Sequence, residues 1–124
     1  MKWTILLVIA ALVVIFLLIK ETGQISAADA LEHLKKGAVV IDVRSTDEYN
    51  TEHLPSAVNL PLDVIENAVP QRLPDKNQIL LLHCQSGMRS AIAMRKLQHM
   101  GYTNVFNLGS LARAKAIVDK AAAN

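Results

Sequence analysis

Ile79-Leu80-Leu81-Leu82-His83-Cys84-Gln85-Ser86-Gly87-Met88-Arg89-Ser90 is an apolar run that gives way, at the chain's only cysteine, to a short polar loop. Residues 79–83 suit a strand covered on both faces. Residues 90–100 carry helical spacing, with Ile92, Ala93, Leu97 and Met100 apolar, Arg95 and Lys96 outward and Gly101 as a stop. A thiol at that join lies where a strand ends and the first backbone N–H groups of a helix point back at it. Those donors and the positive end of the helix dipole favour the reactive thiolate. Arg89 closes the loop with a fixed positive charge. This is a layout for holding an anion beside a nucleophile.

Working outward, strand and helix signals alternate. Ser26-x-x-Asp29 reads as a helix start, Ala27, Ala30, Leu31 and Leu34 share a face, and Gly37 ends it. Residues 38–43 form an apolar run that suits a covered strand, interrupted only by Asp42, 47–52 a helical turn or two, and 57–60 a short strand ended by Pro61. Residues 62–69 have helical spacing, and Pro70 and Pro74 mark a loop that crosses the sheet. Residues 104–108 are the last strand and 111–123 an alanine-rich helix. The alternation predicts a small open parallel α/β sheet with helices on both faces, in which ligands bind beyond the carboxyl ends of the strands. Cys84, Arg44 and the residues just after Arg44 fall there.

Four motifs occur in one order: Ile41-Asp42-Val43-Arg44 with Asp47-Glu48-Tyr49; Glu52-His53-Leu54-Pro55-Ser56-Ala57-Val58-Asn59-Leu60-Pro61; Cys84 to Arg89, a cysteine, four residues and a basic residue; and Gly101-Tyr102-Thr103-Asn104-Val105. Together they resemble the rhodanese family of single-domain sulfurtransferases over residues 25–111. The resemblance implies Cys84 as the nucleophile that carries a persulfide. Gln85, Ser86, Gly87, Met88, Arg89 and Ser90 would be its binding loop. It also implies no metal or organic cofactor, and small donors and acceptors (thiosulfate, cyanide or thiols) or a partner protein. Gly109-Ser110 stands where the family usually has Gly-Gly, and the tryptophan expected soon after is absent.

The chemistry explains those residue types. A persulfide is anionic and needs several donors and little competing water, which a curled loop supplies from its backbone N–H groups. Gly87 permits the sharp turn, Ser86 and Ser90 offer hydroxyl donors, and Arg89 attracts an anionic donor. Met88 is expected on the exposed rim. Asp42 and Arg44, on the same side of a strand near its end, suit a structural ion pair that supports the loop, with Glu48 as a further candidate. His33, His53, His83 and His99 have no metal-ligand spacing, and surface or structural roles are the expectation. Two other functions compete: a phosphatase or arsenate reductase with a related loop, and a sulfur-carrier or interaction module for a membrane partner. Loops of the former kind resemble Cys, five residues, Arg, one residue wider than the present one.

Hydrophobic residues make up 52% of this 124-residue chain, and one segment accounts for the excess. Residues 3–19 hold no charge, span roughly 25 Å as a helix, and are bracketed by Lys2 and Lys20, with Trp3 suited to the interface. They read as a transmembrane helix, followed by a connector at 20–25 and a rhodanese-like domain at 26–124. A signal peptide cut after Ala27 is the competing reading. The terminal amine and Lys2 favour an inner N-terminus and a domain on the outer, periplasmic side, with the cytoplasmic side left open. Without Lys2 and Lys20, the 13 basic side chains fall to 11, matching the 11 acidic ones. That balance gives no footing for nucleic-acid binding.

Overall fold

The computed structural model describes residues 1–21 and 23–123, with side chains at 19–21 left aside. After helix α1 (Lys2–Glu21) come α2 (Ala27–Lys35), β1 (Val39–Asp42), α3 (Thr46–Thr51), β2 (Val58–Asn59), a 3-10 turn (Leu62–Val64) and α4 (Ile65–Arg72). β3 (Leu80–His83), α5 (Met88–His99), β4 (Val105–Gly109) and α6 (Leu111–Ala123) complete the chain. The four strands form one sheet in the order β2-β1-β3-β4, and every neighbouring pair is parallel.

Strand alternation sorts the core into two layers. Ile41, Leu80 and Leu82 pack with Ile65 and Val69 of α4 and Ala93, Met94 and Leu97 of α5. Val40, Leu81 and Leu108 pack instead with Ala30 of α2 and Ala114 and Ile117 of α6. Leu80, Leu81 and Leu82 are all fully buried, which explains why β3 reads as an unbroken aliphatic run. Each contributes about 1.5–3 kcal/mol of transfer free energy. The two layers bear out the open parallel sheet with helices on both faces.

Local signals settle the element ends. The Ser26 hydroxyl accepts from Asp29 N at 3.1 Å, as a helix cap should. Gly37, at φ +87°, follows α2. Two expectations fail. Pro70 lies inside α4 rather than in a loop. Its missing N–H costs one bond in a short helix, offset by the full burial of Ile65 and Val69 in the turns before it. α5 begins at Met88, two residues earlier than predicted, so Met88 and Arg89 occupy its first turn.

In α1, the apolar side chains from Trp3 to Leu18 stand in solvent, from 79% exposed at Trp3 to 49% at Val13, and none joins either core layer. Among the described residues no helix is long and apolar enough to cross a membrane. The transmembrane helix expected over 3–19 is therefore not shown. The side chains of Ile19, Lys20 and Glu21, and Thr22 of the connector, lie outside the described residues.

Candidate active site

The carboxyl ends of β1 and β3 converge on one charged cluster. Asp42 and Arg44 are buried, and Arg44 Nη2 donates to Asp42 Oδ2 at 2.7 Å while Nε reaches both carboxylate oxygens at 3.0 Å. Arg44 also donates to the Glu52 carbonyl at 2.6 Å and to Gln85 Oε1 at 3.3 Å. It therefore ties β1, the segment after α3 and the loop together, with its guanidinium already engaged. Beside it, His83 Nε2 lies 3.7 Å from Asp42 Oδ2, and His83 is fully buried. Burial lowers the His83 pKa, more than Asp42 and the Cys84 carbonyl raise it, so the ring is neutral at pH 7.

Cys84 follows directly. Gly87, at φ +99°, turns the loop so that its N–H donates to Cys84 Sγ at 3.0 Å. The Ser90 hydroxyl stands 3.5 Å from the same sulfur, and Ser86 and Ser90 add backbone donors. Burial pushes the thiol pKa up, but these donors together outweigh it and hold it below the ordinary value. The donors thus face inward, as expected. The residue itself is 0% exposed, so the sulfur is closed off in this conformation.

Asn107 holds the loop from behind. Its Oδ1 accepts from Ser90 Oγ at 2.7 Å and Gly109 N at 3.0 Å, and its Nδ2 donates to the Gly87 carbonyl at 3.1 Å. Gln24 lies across the same layer: its Nε2 is 3.0 Å from where a Cβ would stand at either Gly87 or Gly109, whose φ is +102°. Neither Asn107 nor Gln24 was singled out from the sequence, because their roles come from contacts with residues far along the chain.

Arg89 feels the charge of Cys84, but its direct side-chain partner is Glu48. Its Nη1 and Nη2 donate to Glu48 Oε1 and Oε2 at 2.7 and 2.9 Å, a bidentate pair with each side chain about a third exposed. Glu48 is tethered in turn by the Ser45 capping box, where Ser45 Oγ and N donate to Oε1. The Arg89 guanidinium, with help from Ser45, holds the Glu48 carboxyl down at about 2. Glu48 hydrogen-bonds Arg89 directly and also acts through its charge on Arg44, so it stands beside the Asp42–Arg44 pair for which it was a further candidate. The box Ser45-x-x-Glu48 was legible in the sequence, but its partner on α5 was not. Arg89 also borders a cleft of about 450 Å³ lined by Val43, Ser45, Pro61, Leu62, Asp63 and Lys96. Met88 is 56% exposed, as expected of it. Among the described residues no group of three His, Cys, Asp or Glu side chains is arranged to hold a metal.

A loop whose donors converge on one sulfur at a strand end is the arrangement that the four motifs implied. Residues 26–113 match the family model of the rhodanese-like domain. The chain belongs to the rhodanese-like family. It is 39% identical over 71 residues to thiosulfate sulfurtransferase PspE of Escherichia coli (strain K12), covering 57% of this chain and 68% of that protein. It is 33% identical over 86 residues to thiosulfate sulfurtransferase GlpE of Coxiella burnetii, covering 68% of this chain and 78% of that one. Among solved structures, human single-domain sulfurtransferase TSTD1 superposes with a TM-score of 0.66 at 26% identity, over 76% of this chain and 96% of that chain. These relationships make the rhodanese-like chain a rhodanese-type sulfurtransferase. Neither a phosphatase nor an arsenate reductase reading gains support from them.

Proposed function

We propose that this sulfurtransferase moves sulfane sulfur from thiosulfate or a persulfide donor to a thiophilic acceptor through a persulfide on Cys84. The observation that carries the reading is the convergence of backbone N–H donors on Cys84 Sγ, from Gly87 at 3.0 Å with Ser86 and Ser90. In the first half-reaction the Cys84 thiolate attacks the outer sulfur of thiosulfate. A bond forms to Sγ, the bond to the sulfonate sulfur breaks, and sulfite leaves with the electron pair. The loop donors then hold the terminal sulfur's negative charge. In the second half-reaction cyanide or a thiolate attacks that terminal sulfur and releases Sγ as thiolate. Electrons balance with no external oxidant. Asp42 and Arg44 act as supports, and Gln85, Ser86, Gly87, Met88, Arg89 and Ser90 form the binding loop. Because Cys84 is enclosed, the loop opens to admit the donor.

Intact mass spectrometry after thiosulfate treatment tests this reading. The expected result is a gain of one sulfur atom that a reductant removes and that Cys84→Ser lacks. A mass unchanged by either donor class would end it.

α1 supports a second element of the proposal: that residues 3–19 seat the protein on or in a lipid membrane, with the domain on the outer side. The helix is apolar on every side, its described side chains lie in water, and Lys2 and Trp3 stand at its start. So large an exposed apolar surface calls for a lipid or protein cover. Full-length protein should float with phospholipid vesicles, and the Val8→Lys, Leu12→Lys double variant should not. Equal flotation of both would sink the membrane reading, and protease digestion of intact cells would report the side.

A further inference from the structure

We propose that Glu48 selects the sulfur donor: by occupying the Arg89 guanidinium it disfavours donors that carry an oxyanion, and favours organic persulfides whose uncharged carbon body lies in the cleft beside the loop. This rests on the reading of Cys84 as the sulfur-accepting nucleophile.

Three observations support it. A sulfonate bound end-on at Arg89 would need the same fork of Nη1 and Nη2 that the two oxygens of Glu48 now fill, and the paired carboxylate offsets the cation's charge. Glu48 is also held in place, since Ser45 N and Oγ donate to its Oε1 at 3.3 and 3.0 Å. An incoming dianion therefore meets a fixed carboxylate where it needs a free cation, and juxtaposed like charges are strongly unfavourable. Finally, the adjoining cleft has no spare positive charge. Lys96, seven residues beyond Arg89 on α5, is paired with Glu66 at 3.1 Å, and Asp63 adds a negative charge to the wall. What remains of the lining is largely apolar, from Val43, Pro61 and Leu62. A cleft of about 450 Å³ with neutralised cations and an apolar wall suits a carbon skeleton better than a small inorganic dianion.

With such a donor, the Cys84 thiolate attacks the terminal sulfur of R–S–SH. A bond forms between Sγ and that sulfur, the donor's own S–S bond breaks, and the donor departs as R–S⁻ with the electron pair. The proton stays on the transferred sulfur until the loop donors favour its loss. No further reactant is needed.

The test compares single-turnover persulfidation of Cys84 in the full-length protein by thiosulfate and by 2-hydroxyethyl persulfide, read by intact mass. The wild-type protein should favour the organic persulfide. In Glu48→Gln the ratio of the thiosulfate rate constant to the organic rate constant should rise about tenfold or more. The rise should vanish when Arg89→Met is added. Glu48→Asp, which keeps the charge but withdraws it from the fork, should shift the ratio the same way and serves if Glu48→Gln does not fold. An unchanged ratio in both variants, or a selective fall in thiosulfate use, would overturn the role of Glu48 while leaving Cys84 in place. Failure of both donors to add sulfur to wild-type Cys84 would overturn this inference and the reading beneath it together.

Discussion

Arg44 and Asp42 form an ion pair whose donor nitrogen and acceptor oxygen lie 2.7 Å apart, with the two side chains only 3% and 0% exposed. A pair so fully desolvated is costly to assemble but far costlier to break, since removing one partner strands a charge in the core. Asp42→Ala should therefore destabilise the domain by about 3–5 kcal/mol. Urea denaturation would register this, and a loss below about 1 kcal/mol would show that the cluster is solvated.

Cys84 combines a lowered thiol pKa with complete enclosure. Its thiolate should form below the ordinary pH range for cysteine, yet alkylation by iodoacetamide should be slower than for a free thiol at equal thiolate fraction. Ser90→Ala removes a donor that lowers the pKa, so the midpoint of the alkylation profile should move to higher pH. A shift to lower pH would contradict the assignment of Ser90.

Gly87 and Gly109 share Gln24 as a neighbour, and both hold a backbone conformation that other residues adopt only at a cost. Gly87→Ala should cost about 1–3 kcal/mol and depress sulfur transfer. Combining it with Gln24→Ala should recover the part of that loss due to contact, leaving the backbone strain. A double-mutant cycle with no coupling would separate Gln24 from the loop.

The Glu48–Arg89 pair predicts a defined acid response. The Glu48 carboxyl falls from 4.5 to about 2 in the fold, so its stabilising contribution is complete above 4.5 and is lost as pH falls toward about 2. With each side chain about a third exposed, solvent screening keeps that contribution below about 1 kcal/mol. The stability difference between wild type and Glu48→Gln should be present at neutral pH and shrink through that acid window. A difference that grew on acidification would have the wrong sign for this pair.

Elements built from near neighbours were legible in the chain. The Leu80-Leu81-Leu82 run announced a strand buried on both faces, and Ser26 and Gly37 announced the ends of α2. The positive φ of Gly87 and the Asp42–Arg44 pair were also readable, because each depends on residues within a few positions. Pro70 misled because burial of Ile65 and Val69 in the preceding turns outweighed its local preference. For Arg89 the local chain showed its place at the loop's end but not its partner, Glu48, 41 residues earlier.

Hydrophobic period, turn residues and motif spacing are properties of the local chain, and they were enough to read off the parallel α/β architecture, the position of Cys84 at a strand end and the six-residue loop after it. The pairing of Arg89 with Glu48, the bracing of the loop by Asn107 and Gln24, and the enclosure of the sulfur emerge from long-range packing alone. Those facts depend on which distant segments the folded sheet brings within hydrogen-bonding reach, and no local pattern carries that distance.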